Sequence, residues 1–252
     1  MVARDLAPAQ LDSLLGRTSP VLKLVIAVGW FIGLATTTAF APPLAILAVA
    51  VVVALTLGRV PPGDLLRGVA PIWLAALGLA VFNSLFAAVN ADPGYPTLAQ
   101  IGPFRVTEPG LSAGIGLGLR LVAIGAIGAV FVLTTDSTRL VDALVQQAHV
   151  SPRFAYAALA AYQAAPRFGE DLMTLRQARR LRGLRGDWHP RLLVSLLVLA
   201  IRHGDRVAIA MDARAFGSGP RTRYREVRWG SLDLVVGLAA IAILVVALAL
   251  PR

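Results

Sequence analysis

Long stretches of this chain carry almost no charge, and that limits the solvent it can fold in. Residues 21–40, 42–58, 69–90, 111–134 and 231–250 each read as an apolar run of about the length a helix needs to cross a bilayer. Of the 252 residues, 57% are hydrophobic and 15% are charged. A soluble domain carries about 45–50% apolar and about 25% charged residues. Disorder, a disulfide-rich secreted fold and an ordinary soluble enzyme are thereby excluded. The expected fold is an all-α polytopic membrane protein, with about five transmembrane helices plus long cytoplasmic helices. The chain has no cysteine, so disulfides, thiolate metal sites and Cys nucleophiles are absent.

The breaks between runs are marked by proline and glycine. They are Ala41-Pro42-Pro43, then residues 58–63 (Gly-Arg-Val-Pro-Pro-Gly), then 92–96 (Asp-Pro-Gly-Tyr-Pro). Basic residues orient the chain by the positive-inside rule. Arg4, Arg17 and Lys23 precede or open the first run, and Arg59 and Arg67 lie in the second loop. Residues 136–230 hold 16 arginines against 8 acidic residues. The N-terminus and this large segment therefore belong in the cytoplasm; residues 91–110 and the C-terminus belong outside. Ala39-Phe40-Ala41 resembles a signal-peptide cleavage site, but Asp5 and Asp12 precede it in a long leader. An uncleaved first span is the better reading. The expected division is 1–135, a four-helix transmembrane region; 136–230, a cytoplasmic or interfacial helical region; and 231–252, the last transmembrane helix.

Net charge is +10, yet Lys23 is the only lysine. A phosphate-binding P-loop needs Gly-Lys before Ser or Thr, and Lys23 follows Leu22. The chain cannot build its own ATP site of that kind.

Residues 136–230 are too long for a plain loop and are patterned as helices. Ser137 can cap a short helix, 138–149. Ser151-Pro152 reads as an N-cap with proline at the first helical position, opening a helix to about 185. Pro166 should kink it. Its first half is nearly uncharged; its second half carries Arg167, Arg176, Arg179, Arg180, Arg182 and Arg185. Pro190 opens a further helix to about 216, whose apolar stretch 192–201 is only half a span long. Each of the two long helices is greasy in one half and ends in an arginine-bearing tip.

Those tips carry a resemblance. Leu181-Arg182-Gly183 and Ala213-Arg214-Ala215 look like the two X-Arg-X motifs, often Ala-Arg-Gly, of the transmembrane T component (EcfT/CbiQ-like) of energy-coupling-factor (ECF) transporters. The segments 134–144, 176–184 and 208–217 resemble the family's context for these motifs, and Pro152 and Pro166 sit where it often has prolines. The resemblance covers the whole chain loosely and residues 134–217 closely. Ala215 departs from it, standing where glycine is usual. The resemblance implies a non-catalytic scaffold with no cofactor or metal of its own. It would join two ABC-type ATPase subunits to a membrane-embedded, substrate-binding S component for uptake of a vitamin or transition-metal ion. Arg182 and Arg214 would each dock on one ATPase. An arginine fork suits carboxylates and backbone acceptors, and a helix C-terminus holds a cation favourably.

Other features weigh less. Arg120 lies near the middle of the fourth span, where a charge costs at least about 2.5–3.5 kcal/mol. It either faces the bundle interior, with carbonyls, Asn83, Ser84 or water as partners, or snorkels to the interface. Gly114 and Gly118, continued by Gly125, make a small-residue ridge for packing within the chain or for contact with an S component. His149, His189 and His203 lack metal-ligand spacing and read as cap or interface residues. The arginine cluster is flanked by spans and is not a nucleic-acid site. A stand-alone secondary transporter is the alternative, but no acidic residue interrupts a span and no repeat is visible. A membrane enzyme acting on lipid phosphates would need several clustered acids; Asp205 and Asp212 share a helix seven residues apart, and no further acid arrays with them.

Overall fold

A computed structural model describes residues 10, 13–37, 39–101, 104–184, 186, 188–217, 219 and 225–249. Arg4, Asp5, Asp12 and Arg185 lie outside the described residues. The rest falls into two compact units, residues 137–227 and the remainder.

The larger unit is the apolar one. A single turn, Leu14–Arg17, precedes α1 (Pro20–Ala35), α2 (Ala41–Thr56), α3 (Pro62–Phe86), α4 (Glu108–Thr134) and the C-terminal α8 (Ser231–Ala249). The helices start where the proline signals place them, with proline in the first turn of α1, α2, α3 and α4. There it loses no hydrogen bond, because the first-turn N–H groups have no helical partner. α3, α4 and α8 are long and apolar enough to cross a membrane. α1 and α2 are shorter than the expected 21–40 and 42–58, at 16 residues each. That is about 24 Å, below the roughly 30 Å of a hydrocarbon core. Thr36 and Thr37 end α1, their hydroxyls donating to the Gly33 and Leu34 carbonyls. α3 starts seven residues before the expected 69 and runs on through Pro71.

The core lies among all five helices, around Leu34, Ile46, Ala54 and Ala123, which are fully buried. α3 and α4 make the broadest contact, and glycine is the reason. A Cβ added at Gly118 would lie 2.8 Å from the Ala80 Cβ and 2.9 Å from the Ala76 carbonyl oxygen. One added at Gly114 would lie 2.6 Å from the Ala80 carbonyl oxygen. Such contact is shorter than any side chain allows, so the glycines let two backbones meet. Of the two roles open for this ridge, Gly114 and Gly118 serve packing within the chain.

Several polar groups buried in this unit are hydrogen-bonded, while Arg120 Nε and Thr135 Oγ1 have no partner among the described residues. Lys23 is buried at 7% exposure and its Nζ donates to the Thr134 carbonyl, 2.7 Å away. The Trp30 indole N–H donates to the Ala240 carbonyl at 3.2 Å. Asp233 corrects the reading that no acidic residue interrupts a span: it lies in the first turn of α8 and is buried. It does not reach the middle of the span. Its two oxygens accept the backbone N–H groups of Ser19 at 2.7 Å and Gly230 at 2.9 Å.

The loop between α3 and α4 holds structure that the sequence reading did not anticipate. A 3-10 turn, Ala88–Ala91, is followed by an antiparallel hairpin of β1 (Thr97–Ile101) and β2 (Phe104–Thr107). Asn90 ties this segment together. Its Nδ2 donates to the Ser84 carbonyl at 2.8 Å, and its Oδ1 accepts the Thr107 hydroxyl at 2.8 Å and the Thr107 N–H at 3.1 Å. Thr107 in turn caps α4 by accepting the Gly110 N–H. Phe86 packs edge-on against Phe104, 4.8 Å between ring centres, and seats the hairpin on the end of α3.

The smaller unit contains α5 (Ser137–Gln147), α6 (Pro152–Leu181) and α7 (Pro190–Ala213). α6 packs on both α5 and α7.

Candidate functional site

The candidate site comprises the C-terminal ends of α6 and α7. α6 opens at Pro152, which follows Ser151 in an extended conformation, although the Ser151 side chain makes no cap bond. Pro166 sits inside α6 without ending it. It supplies no N–H, so the ladder loses one rung there. The helix stops at Leu181, earlier than the expected 185. α7 opens at Pro190 and stops at Ala213. Its cap is His189, whose Nδ1 accepts the Arg191 N–H at 3.1 Å.

The two ends have the same backbone. Arg182 is the C-cap of α6, at φ −83° and ψ 9°; Arg214 is the C-cap of α7, at φ −95° and ψ 15°. The next residue turns left-handed in both, Gly183 at φ +69° and Ala215 at φ +53°. Two reversed hydrogen bonds close each end. Gly183 donates to the Arg180 carbonyl and Leu184 to that of Arg179; Ala215 donates to Asp212 and Phe216 to Met211. This is the Schellman termination, which needs a left-handed residue one step past the cap. It accounts for glycine as the usual third residue of the motif, and for the strain that Ala215 carries as a β-carbon residue in that position.

The termination also sets what each end displays. Leu181, Arg182 and Gly183 are exposed, as are Ala213, Arg214 and Ala215. Leu181 is 89% exposed, unusual for a leucine closing a long helix. Each arginine sits beside the last carbonyls of its helix, where the dipole favours a cation. Arg176, Arg179 and Arg180 add charge to the first end. Guanidinium groups at such ends suit carboxylates and backbone acceptors. Among the described residues no group of three or more His, Cys, Asp or Glu is placed to hold a metal ion.

The second end is held from below. The Phe216 ring packs edge-on against Tyr156 near the start of α6, with centres 6.0 Å apart. Arg153 donates to the Gly217 carbonyl at 3.2 Å. The Tyr156 hydroxyl donates to Asp142 Oδ1 of α5 at 2.7 Å, and Asp142 is buried. Further along α5, the Gln146 side-chain amide pairs with backbone as a strand would. It donates to the Arg225 carbonyl at 2.8 Å and accepts the Val227 N–H at 3.0 Å. α6 and α7 therefore run antiparallel, with the Arg214 end beside the start of α6 and the Arg182 end at its far terminus. From Tyr156 to Arg182 the helix covers about 39 Å at 1.5 Å per residue.

The structure thus places all six motif residues at two equivalent helix ends and does not bring them together. It also adds residues that the sequence reading passed over: Asp142, Tyr156, Arg153 and Gln146. Asp142 and Gln146 lie on the polar side of α5 with Thr138 and Arg139, so the sequence pattern gives no sign of their partners. Arg120 is half-buried in α4, and its Nε has no hydrogen-bond partner among the described residues. Asn83, one expected partner, instead donates to the Leu79 carbonyl of its own helix.

Apolar span-length helices together with two exposed, arginine-capped helix ends define the class as an all-α membrane protein. Residues 12–224 match the cobalt transport protein family, CbiQ, and the chain belongs to that family of ECF-transporter T components. It is 28% identical over 251 residues to the energy-coupling factor transporter transmembrane protein EcfT of Bacillus subtilis, covering 92% of each chain. It is 30% identical over 208 residues to EcfT of Heliobacterium modesticaldum, covering 75% of each. A putative ABC transporter ATP-binding protein of Bifidobacterium longum is 25% identical over 259 residues, which are 94% of this chain but 32% of that protein.

Proposed function

We propose that this chain is the non-catalytic scaffold of an ECF-type ABC importer, and that Arg182 and Arg214 each seat in one of two ATPase subunits. The observation that carries this reading is the repeated termination: two helices end in one backbone motif with an exposed arginine at the same position. The separation of about 39 Å along α6 suits two partners better than one. The Bifidobacterium longum relative supports an ATPase partner, because it is named for ATP binding and only a third of it matches this chain. In this reading ATP-driven closure of the ATPase pair moves the two helices, and their apolar faces pass the motion to an S component. Leu193, Val194, Leu197 and Ile201 of α7 are more than half exposed and would form that contact. The substrate, a vitamin or a transition-metal ion, is selected by the S component. The arginine distribution supports an orientation with the N-terminus and residues 136–230 in the cytoplasm and the C-terminus outside.

The test is co-purification in detergent. The ATPases encoded with this chain are expressed with the wild type and with Arg182→Glu plus Arg214→Glu. Retention by the wild type and loss by a folded double variant is the expected result. A wild type that never holds an ATPase would move the stand-alone carrier to first place. Retention by both would keep the scaffold and move the contact elsewhere.

A further inference from the structure

The membrane unit holds a cavity of about 200 Å³ between α1, α2, α4 and α8. Its wall is drawn from residues 23–30 of α1, 50–57 of α2, 127–134 of α4 and 236–243 of α8, with Leu14 and Leu15 at one end. Each helix lends a stretch of the same length, about 10 Å at 1.5 Å per residue. The bonds from Lys23 to the Thr134 carbonyl and from the Leu15 N–H to the Leu57 carbonyl mark one end; that from Trp30 to Ala240 lies toward the other. The cavity is therefore a slot along the helices, about 20 Å² in cross-section, as narrow as one hydrocarbon chain. It is open to the surface rather than sealed, and Leu14 and Leu57 in its wall are exposed. Lys23, Trp30 and Thr134 bring polar atoms to the wall, and each is bonded within it. Lys23 and Trp30 donate to the carbonyls just named, and the Thr134 hydroxyl donates to the Val130 carbonyl at 2.7 Å. A buried water needs about two to four polar partners, whereas an apolar cavity of roughly 150 Å³ stays dry and takes up benzene. The slot suits hydrocarbon.

We propose that the slot is a binding site for one acyl chain of an anionic phospholipid, with the phosphate at the end where Lys23 stands. The slot runs along α4 and α8, which are long and apolar enough to cross a membrane. A chain thus enters it in the direction it already has in a bilayer. A depth of about 10 Å is a third of a hydrocarbon core of roughly 30 Å, so a chain from a single leaflet fills it. Charge selects the head group. Lys23 lines the slot, Arg17 closes the turn that begins at Leu14, and Arg59 lies two residues past Leu57; both arginines are exposed. Against these three stand Asp136, two residues past Thr134, and Asp233, whose two oxygens already accept backbone N–H groups. Asp64 pairs with Arg67 at 3.6 Å. The balance at this end is positive, and basic side chains at a membrane surface draw anionic head groups. The site belongs to the membrane unit and does not rest on the scaffold reading.

Trp30 supplies the readout, because it lines the slot and is buried at 8% exposure, whereas Trp73, Trp188 and Trp229 are exposed. In the full chain, Trp73→Phe, Trp188→Phe and Trp229→Phe leave Trp30 as the one tryptophan. This chain is reconstituted in phosphatidylcholine vesicles containing a rising fraction of lipid with dibrominated acyl chains, which quench tryptophan on contact. Dibrominated phosphatidylglycerol should quench Trp30 and saturate, with half of the effect at about tenfold lower mole fraction than dibrominated phosphatidylcholine needs. Val53→Phe, which fills the slot from α2, should remove most of the quenching. Arg17→Gln with Arg59→Gln should narrow the preference for phosphatidylglycerol and leave the slot intact; if Val53→Phe does not fold, this surface pair carries the test. Quenching that only rises in proportion to mole fraction overturns the site and leaves the slot to bulk lipid or to a partner protein's side chain. Saturable quenching that is equal for the two lipids overturns the anionic head group. Quenching undiminished in a folded Val53→Phe places the chain elsewhere and overturns the site as well.

Discussion

Gly183 and Ala215 occupy the same place in two helix terminations, each one residue past an arginine cap, at φ +69° and +53°. Only one of them is suited to it. A β-carbon in the left-handed region costs roughly 1–2 kcal/mol, and glycine gives back about 0.5–1 kcal/mol in lost chain entropy.

Exchange of the two residue types should therefore act in opposite directions. Ala215→Gly should stabilise the α7 end by about 0.5–1 kcal/mol, and Gly183→Ala should weaken the α6 end by a similar amount. No atom lies within 4 Å of a Cβ built on Gly183, so the loss there is backbone strain alone. Hydrogen exchange at the Phe216 and Leu184 amides, which close the two turns, measures it. Slower exchange at Phe216 in Ala215→Gly is expected; faster exchange would contradict the strain argument.

Packing in the membrane unit gives a matched pair within α4. Gly118→Val should cost several kcal/mol, because its Cβ would fall 2.8 Å from Ala80 and 2.9 Å from a backbone oxygen of α3. Gly128→Ala in the same helix should be neutral or slightly stabilising, since nothing lies within 4 Å of the added carbon. Thermal aggregation in detergent should show a clear loss for the first and none for the second. Equal sensitivity would mean that α3 and α4 do not meet along this ridge.

Tyr156 offers a readout in pH. Burial first, then the hydrogen bond to Asp142 and its negative charge, push the phenol from 10.0 up to about 12. The folded state thus favours the neutral phenol. The sign follows: its contribution to stability is complete below about pH 10 and is lost as pH rises through about 12. A phenolate absorbance titration of the 4 tyrosines should show a component near 12 that Tyr156→Phe removes. Asp142→Asn should shift that component down without returning it to 10, because burial, the largest cause, remains. A component that does not respond to Asp142→Asn would deny the contact.

Much of this architecture is written in local chemistry. Lipid demands apolar runs, so α3, α4 and α8 stand out, and proline without an N–H marks the starts of α1, α2, α6 and α7. The arginine tips were readable because a helix end is a local event, set by its last few residues. The 16-residue length of α1 was not, since the two threonine hydroxyls that finish it compete with a pattern that still looks apolar. The hairpin at 97–107 was hidden in a loop read for its breakers alone. Its alternation is short, and Asn90 and Phe86 complete it from outside.

What the sequence determined by itself was the solvent, the helical class, the starts of most helices and the two arginine-capped ends, because each depends on residues a few positions apart. The tertiary structure decided which glycines meet which backbone, that Asp233 holds Ser19 across 214 residues, and that Tyr156 joins Asp142 to the Arg214 end. Those pairings depend on which surfaces are brought together, and chain spacing carries no record of a partner that lies far along the chain.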